Sequence, residues 1–487
     1  MIARPTLLLA LLAAGCAAVG PDHEEPRAQV PAAFDQAQGA RVAAGPAEVV
    51  GWWRAFEDPL LDVLVERATR ENLSLQEALS RVREARALRG IEASARYPTL
   101  DAELSWLRRG ESDNTPFGAF VPDSDLYTAR FDASWEVDLF GRVRRSVEAA
   151  DADLDASVED ARDVLVTLVA DTAATYVELR SFQQRLAIAS NNVELQQQTL
   201  DLVRARFEAG LVGERDVTQA AATLETTRAR VPEHEFGALR AQHRLAVLLG
   251  ITPGALPPEL AALREAGPVP RPPPAVAVGV PADLVRRRPD VRRAERELAA
   301  ETARVGVLEA DLYPRLAIAG SLGLSSEEAG DLFESESGFF GIGPILRWNV
   351  FDAGLRRQRV EAQDELAEQA FLRWRASVLR AIEETETALA GFVRQDSRRT
   401  SLAAAASETR RAVELARAQY EDGLTDFQAV LDSQRELAAL EDDLAQSDAS
   451  VATNLVAIYK ALGGGWQAEG GTADASAADA VDLPPQG

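Results

Sequence analysis

The sequence predicts a protein in which long α-helical hairpins are combined with a transmembrane β-barrel. Three observations support this: the chain repeats itself after about 213 residues, each repeat contains a very long helical segment, and each contains two strands that alternate apolar and polar residues. A period this long indicates a duplicated half-protein rather than a solenoid of short repeats. Each chain is therefore expected to contribute four strands and two sets of helical hairpins.

The repeat is visible in matched residues along both halves. Gly90 falls on Gly306, and Trp135 falls on Trp348. A proline-rich stretch joins the halves, and the last residues are too polar to pack. The predicted organisation is a signal peptide at 1–15, a lipidated extended segment at 16–59, a first repeat at 60–250, a linker at 251–281, a second repeat at 282–463 and a disordered tail at 464–487.

Composition excludes several classes of protein. The 487 residues include 16 Phe and one Met, and 26% are charged, which suits long helices better than thick layered cores. The net charge of -25 argues against a nucleic-acid partner, because a phosphate-binding surface needs a basic field. Protein surfaces rich in acidic residues, facing water or cationic solutes, are more consistent with this net charge.

The N-terminus predicts a secreted lipoprotein. A basic residue, an apolar run and small residues precede Cys16, the only cysteine in the chain. A lone cysteine cannot form an intramolecular disulfide, so lipidation is favoured over a chance thiol. Ala13 stands where such signals usually carry leucine. Ala17 follows Cys16, and the absence of Asp at this position resembles lipoproteins sent to the outer membrane. No later apolar run reaches the length of a membrane-spanning helix.

Hydrophobic spacing predicts the helices. Residues 142–209 contain no Gly and no Pro, and their apolar positions recur at steps of three and four. As one helix they would rise about 100 Å. Residues 355–422 repeat this segment with one interruption at Gly391. The other predicted helices are 60–96, 216–249 with a kink at Pro232, and 427–462.

The alternating segments predict membrane strands. In the predicted strand 126–139, residues 127–139 alternate apolar and polar side chains without exception, and 100–106 do the same. The second copy, 316–324 and 340–351, is weaker, and Pro344 is unusual in a paired strand. Segments of about ten residues match a tilted transmembrane strand. The alternative is amphipathic hairpins on a soluble core, but no other segment supplies such a core.

Four aromatic residues lie where a predicted strand meets a helix, which is the place of an aromatic girdle at a membrane interface. They are Tyr97, Trp135, Tyr313 and Trp348. Longer polar loops, 108–125 and 325–337, lie at the opposite strand ends. Because the smallest transmembrane barrels need about eight strands, four strands cannot close a barrel. The chain is therefore expected to oligomerise, and its polar faces and helices to surround one hollow duct.

Several motifs resemble a known family. They are GCAAVGPD at 15–22, FEAGLV at 207–212, VPADLVRRRPDVR at 280–292 and GPILRWNVFDAG at 343–354. With them the chain resembles the TolC-like outer membrane factors, in the lipoprotein branch that serves RND-type multidrug efflux. The resemblance implies a homotrimer, a barrel of about twelve strands, and a helical tunnel across the periplasm. It also implies an outer-membrane location, a periplasmic adaptor protein and an inner-membrane pump as partners, and no cofactor.

The resemblance also implies a gate at the periplasmic end of the tunnel. Tyr420 and Asp432 match the family residues whose side chains close it. A second acidic residue of the family pattern is replaced here by Ala429, and an arginine near the turn is replaced by Thr425. The resemblance therefore leaves the detailed contacts of the gate undefined.

The glycine turns between the long helices and their return helices predict a docking site. Glycine permits the left-handed backbone that ends a helix, and an exposed leucine beside it offers an apolar contact to a partner. The predicted adaptor-docking tips are Gly210, Leu211, Gly423 and Leu424.

Enzyme chemistry finds little support in the sequence. His23, His234 and His243 are too few and too scattered for a metal site, and neither a phosphate loop nor a nucleophile motif occurs. The leading interpretation is a passive exit duct for small amphipathic compounds. Two alternatives remain: a type I secretion duct for polypeptides, and a coiled-coil lipoprotein without a transport role. The coiled-coil lipoprotein leaves the four strands unexplained.

Overall fold

A computed structural model describes residues 18–36, 41–43, 49–112, 114–116, 120 and 122–467. The predicted signal peptide, Cys16 and the tail beyond residue 467 lie outside the described residues. Within these ranges, no helix has both the length and the apolar composition needed to cross a membrane.

The described residues form nine α-helices and six strands. The helices are α1 Pro59–Glu71, α2 Leu73–Ser94, α3 Arg142–Glu208, α4 Glu214–Arg228, α5 Arg230–Leu248, α6 Pro281–Arg287, α7 Pro289–Ala310, α8 Leu355–Glu421 and α9 Phe427–Ala461. The strands are β1 Val42–Ala43, β2 Thr99–Arg109, β3 Ser124–Val137, β4 Val276–Ala277, β5 Arg315–Ser326 and β6 Gly338–Arg347.

The two very long helices are confirmed. Helices α3 and α8 each contain 67 residues, and α8 continues through Gly391 without a break. A close neighbour explains why residue 391 is a glycine. A Cβ at this position would lie 2.2 Å from the Asn454 side-chain oxygen on α9. Gly391 therefore allows close packing and does not interrupt the helix.

Two predicted helices are each divided. The segment 60–96 forms α1 and α2, with Asn72 between them, and the Asn72 side chain accepts from the backbone N–H of Leu75 and donates to the Leu248 carbonyl. The return helix 216–249 is divided at Ala229, not at Pro232. Pro232 lies in the first turn of α5, where its missing N–H has no helical partner to lose.

The proline-rich linker contains structure that the sequence pattern did not reveal. A 3₁₀ helix, Pro258–Leu263, buries Leu260 and Leu263 completely. Further on, β4 pairs in parallel with β1, with Val42 opposite Val276. Strands of two residues are too short to show any periodicity, which explains why they were missed.

The four longer strands form one antiparallel sheet in the order β2-β3-β5-β6. Its register aligns the apolar residues of neighbouring strands, as in the row Ala102, Phe131, Leu322 and Phe340. Strand β6 ends at Arg347, so the predicted strand 340–351 is too long and Trp348 follows it. Pro344 lies on β6, an outer strand with one paired neighbour in the chain, where proline is best tolerated.

The chain divides into two compact units. The first comprises the described residues within 18–27, 81–157 and 293–374 and contains the four-stranded sheet. The second contains the main hydrophobic core, in which the rings of Trp52 and Tyr459 stack with centroids 5.0 Å apart. A smaller core of this unit lies near the hairpin turns and includes Leu200, Val203, Tyr420 and Phe427.

Candidate functional site

The sheet presents a continuous exposed apolar face. Leu104 on β2 is 79% exposed, Phe131 on β3 is 55% exposed and Phe340 on β6 is 83% exposed. Side chains of this size rarely stay in water over a wide patch, because the apolar area costs about 25 cal/mol for each Å² left exposed. The face therefore fits contact with lipid or with another protein surface.

Around Arg130 on β3, the opposite face of the sheet is polar and charged. The guanidinium of Arg130 donates to the Glu103 carboxylate across the strands at 2.7 Å and lies 3.0 Å from the Asp132 carboxylate. Asp101 lies opposite Asp132 in the register. On β2 and β3 around Arg130, polar and apolar side chains are thus separated on two faces, as in a strand pair with lipid on one side and water on the other. Strand β6 differs, because Phe339 and Ile345 lie on the face of Arg130.

The two tryptophans of the predicted girdle occupy equivalent positions. The indole N–H of Trp135 donates to the Arg96 carbonyl at 3.0 Å, and that of Trp348 donates to the Leu312 carbonyl at 3.2 Å. Each acceptor immediately precedes the tyrosine that the repeat also matches. The two repeats therefore share the same tryptophan hydrogen bond at the junction of strand and helix.

The two girdle tyrosines differ in their surroundings. Tyr97 is 71% exposed, whereas Tyr313 stacks on Phe140 with ring centroids 4.7 Å apart. An aromatic ring with a polar end suits the boundary between apolar and aqueous surroundings.

The hairpin turns have the geometry that the sequence predicted. Gly210 and Gly423 adopt φ angles of 73° and 70°. In each turn the N–H of the following leucine donates to a carbonyl five residues back: Leu211 to Arg206 at 2.9 Å and Leu424 to Gln419 at 2.8 Å. This is the Schellman arrangement that ends a helix at a glycine.

The leucines at the turns are exposed. Leu211 is 72% exposed and Leu424 is 76% exposed. The helix that follows each turn begins directly afterwards, and Asp426 caps α9 by accepting from the Ala429 N–H at 3.0 Å. Each turn thus holds one large apolar side chain on a rigid backbone.

Tyr420 is buried rather than free to line a tunnel. Its side chain is 5% exposed, its ring lies 5.5 Å from that of Phe427, and its hydroxyl has no hydrogen-bond partner among the described residues. The Arg206 guanidinium lies over the ring at 4.4 Å. It also donates to the carbonyls of Tyr420 and Glu421, each at 2.9 Å.

Arg206 is therefore a residue that the sequence interpretation missed. It comes from the last turn of α3 and satisfies two carbonyls at the end of α8, where an uncapped helix leaves acceptors unpaired. The sequence signal that could have identified Arg206 is its position four residues before Gly210. The pairing itself depends on which hairpins pack together, and a single sequence does not reveal this.

Asp432 is exposed, and its polar partners lie on its own helix. Its carboxylate accepts from the Gln428 amide at 2.8 Å and lies 3.7 Å from the Arg435 guanidinium. No hydrogen bond joins it to the Tyr420 hydroxyl. The two predicted gate residues therefore occupy different surroundings, one buried and one open to water.

Two of the histidines lie beside acidic residues. His23 pairs with Glu295 at 2.6 Å, and His234 is buried beside the ion pair of Arg185 and Asp442. Burial, followed by the charge of Arg185, lowers the pKa of His234, so its neutral form is favoured. Among the described residues, no group of three or more His, Cys, Asp or Glu is placed to hold a metal ion.

Comparison with known proteins identifies the class. The family model "Outer membrane efflux protein" matches residues 64–251 and 280–464. Nodulation protein T of Rhizobium leguminosarum bv. trifolii is 32% identical over 467 residues, which cover 95% of this chain and 97% of that protein. The pyoverdine export outer membrane protein OpmQ of Pseudomonas putida KT2440 is 33% identical, covering 86% of this chain and 89% of its own.

A solved structure supports the same assignment. The outer-membrane channel OprN superposes with a TM-score of 0.87 at 36% identity, covering 92% of this chain and 99% of that chain. The chain belongs to the outer membrane efflux protein family. It has the fold of the TolC-like channels and acts as an outer membrane efflux channel.

Proposed function

We propose that three copies of this chain close one barrel and form the exit duct of a tripartite efflux system. Strands β2 and β6 each have one paired neighbour in the chain, so each leaves a row of backbone groups unpaired. Such groups cost several kcal/mol each in lipid, which favours pairing with the next copy. Three copies with four strands each give a barrel of twelve strands, which is more than the roughly eight strands of the smallest closed transmembrane barrels.

The two-faced sheet is the observation that carries this proposal. An apolar face suits lipid, and the charged face around Arg130 suits a water-filled passage. The duct needs no chemistry of its own, and we propose no enzymatic activity. Relatives are named for the export of pyoverdine and for the efflux of toluene and of solvent, which supports small compounds rather than polypeptides as the transported class.

We infer that Cys16 is acylated after removal of residues 1–15. The support is its place as the sole cysteine at the end of an apolar signal. Each buried methylene contributes roughly 0.8 kcal/mol, so two or more acyl chains make a lasting anchor where one does not. The proposed mature protein is thus held in the outer membrane both by its barrel and by lipid.

The partners are proposed to meet the hairpin turns. Leu211 and Leu424 offer exposed apolar contacts on rigid turns, which suits a periplasmic adaptor protein that links the duct to an inner-membrane pump. Gly210 and Gly423 permit this backbone because their φ angles are positive. The tips are therefore the proposed docking site.

The gate is proposed to depend on the contact of Arg206 with the end of α8. Two hydrogen bonds and a cation–π contact hold the two hairpins together beside Tyr420. Three exposed Asp432 side chains, one from each copy, would add like charges near the axis. The repulsion of these charges opposes the Arg206 contact, so the balance of the two sets the open population.

Arg206→Gln is expected to raise the open fraction of the channel about tenfold, since a charged hydrogen bond contributes roughly 1.5–3 kcal/mol and 1.4 kcal/mol is a factor of ten. Single-channel recordings in planar bilayers measure this fraction. Arg204→Gln is the matched control, because Arg204 lies on the same turn and, among the described residues, is paired with Asp201 alone, at 3.8 Å. Equal open fractions in the two variants would place the constriction elsewhere.

A further inference from the structure

Three helices of the second unit meet around one buried histidine. His234 lies near the start of α5, and its side chain is 3% exposed. The Nε2 atom of the ring lies 3.6 Å from the Asp442 carboxylate on α9, which is too far for a hydrogen bond. The Nδ1 atom is buried and has no hydrogen-bond partner among the described residues. His234 is thus enclosed beside a carboxylate that it does not bind.

The carboxylate beside His234 is already bound by an arginine. Arg185 on α3 donates through Nε and Nη2 to the two oxygens of Asp442, at 2.7 and 2.9 Å. This bidentate pair joins α3 to α9 and uses both carboxylate oxygens. An extra proton on His234 would therefore meet an acceptor that is already engaged and a guanidinium close by.

Tight packing holds α5 against α3 one turn further along. A Cβ on Gly237 would lie 2.4 Å from the Phe182 ring, so the glycine lets this ring approach the α5 backbone. The rings of Phe182 and His234 lie with their centroids 6.4 Å apart. The histidine and the glycine therefore belong to one contact surface between α5 and α3.

The charges that face His234 come from all three helices. Arg185 belongs to α3, Asp442 to α9, and Glu233 and Arg230 to α5 itself. Burial lowers the pKa of His234 most and the positive charge of Arg185 lowers it further, whereas the negative charge of Asp442 raises it. The lowering causes prevail, so the folded arrangement favours the neutral ring.

The second repeat carries a serine at the equivalent place. The offset that matches Gly210 with Gly423 also matches His234 with Ser447 on α9. Ser447 is fully buried, and its hydroxyl is a neutral hydrogen-bonding group. The contact at this place is therefore expected to respond to pH in the first hairpin and not in the second.

We propose that His234 is a pH-sensitive joint that holds α5 against α3 and α9 when its ring is neutral and releases α5 when the ring is protonated. A second proton on the ring creates a cation beside Arg185, with no acceptor for Nδ1 among the described residues. A buried charge without a partner is strongly unfavourable, and movement of α5 away from α3 gives the imidazolium to water. The return arm of the first hairpin, α4 and α5, is thus rigid at neutral pH and mobile in acid.

Proton linkage sets the direction of the pH effect. The opened state exposes an ordinary histidine with a pKa of about 6.5, so it binds more protons in mild acid than the closed state does. Closure of α5 is therefore fully favoured above about pH 6.5 and weakens as the pH falls below this value. At about pH 5 the opening equilibrium can rise by at most about thirtyfold, since an ordinary histidine is then about thirty times more often protonated than neutral.

Backbone hydrogen exchange, measured by mass spectrometry on the purified full-length protein, tests the joint. Exchange at about pH 8 and about pH 5 is compared, on either side of the ordinary histidine pKa. Each rate is expressed as protection relative to an unfolded peptide at the same pH, which removes the chemical pH dependence. Protection in α5 of the wild type is expected to fall between about threefold and thirtyfold in acid, while protection in α8 stays the same.

Two matched variants assign the effect to one side chain. His234→Gln keeps an uncharged polar group, so its α5 is expected to be protected equally at both pH values. His243→Gln is the control, because His243 is exposed on the same helix, and it is expected to keep the full response to pH. Protection of α5 that does not change with pH in the wild type, or an equal loss in His234→Gln, would overturn the proposal.

A further measurement on the wild type guards against misfolding of His234→Gln. Hydrogen exchange at the imidazole C2 atom, followed by mass spectrometry over a series of pH values, gives the pKa of each histidine. The midpoint for His234 is expected to lie below that of the same peptide after unfolding in urea. A midpoint at or above that of the unfolded peptide would overturn the release of α5 in acid, whatever the variants show.

Discussion

Phe131→Arg is expected to prevent membrane assembly of the channel, whereas Asp132→Arg is expected to leave it intact. The two residues are neighbours on β3 but point to opposite faces of the sheet. A cationic side chain that faces lipid at mid-membrane costs about 2–4 kcal/mol, and each assembled channel would carry one from every copy. The free-energy cost of a cationic side chain that faces water is far smaller.

The measurement is the yield of assembled trimer in purified outer membranes, read on native gels against total protein. We expect at least about a tenfold loss for Phe131→Arg, because 1.4 kcal/mol already corresponds to that factor. Asp132→Arg serves as the matched control at the next residue of the same strand. Similar yields from both variants would favour a soluble hairpin, and the apolar face would then require another partner.

Replacement of both Leu211 and Leu424 by Asp is expected to abolish export while the trimer remains. Both side chains are more than 70% exposed and make no large contribution to the core, so stability should change little. An apolar contact at the centre of an interface often contributes 2 kcal/mol or more to binding, by rough estimate, and a charge in its place adds a desolvation cost. Adaptor binding should therefore fall by at least about a hundredfold.

Export is measured as cellular accumulation of a fluorescent amphipathic cation, and adaptor binding as co-purification with the trimer. Leu211→Met with Leu424→Met is the control, since methionine keeps the apolar contact at similar volume. Export at the full rate in the Asp variant, with normal trimer yield, would place docking away from the turns.

Much of the fold could be predicted because its elements are long and strictly periodic. Helices α3 and α8 follow from runs of apolar residues at steps of three and four, and β3 from the alternation of its residues 127–137. The turns at Gly210 and Gly423 follow from the conformational freedom of glycine. In each case the local pattern and the tertiary structure demand the same conformation.

The remaining features depend on contacts between distant segments. Asn72 ends α1 because its side chain caps α2 and reaches Leu248, which lies 176 residues away. The short pairing of β1 with β4 and the hydrogen bond from Arg145 to the Gly20 carbonyl likewise join segments far apart in the sequence. The local sequence does not reveal these pairings, because each partner lies in a distant segment.

The predicted gate residues show the same limit of what the sequence alone can reveal. The resemblance selected Tyr420 and Asp432, but it could not reveal that Tyr420 is buried beneath Arg206 or that Asp432 is paired within its own helix. Burial follows from how the two hairpins pack in the smaller core. For this reason Arg206, rather than either predicted residue alone, is the better target for tests of gating.

The central claim is that copies of this chain enclose a water-filled passage through the outer membrane. Electrical recording across a planar lipid bilayer tests it directly, with the purified wild-type protein as the only addition. The account predicts current steps of uniform size, each from the insertion of one assembled trimer. Protein that inserts into the bilayer, as judged by its recovery with the lipid, yet produces no current steps under any applied voltage would contradict it.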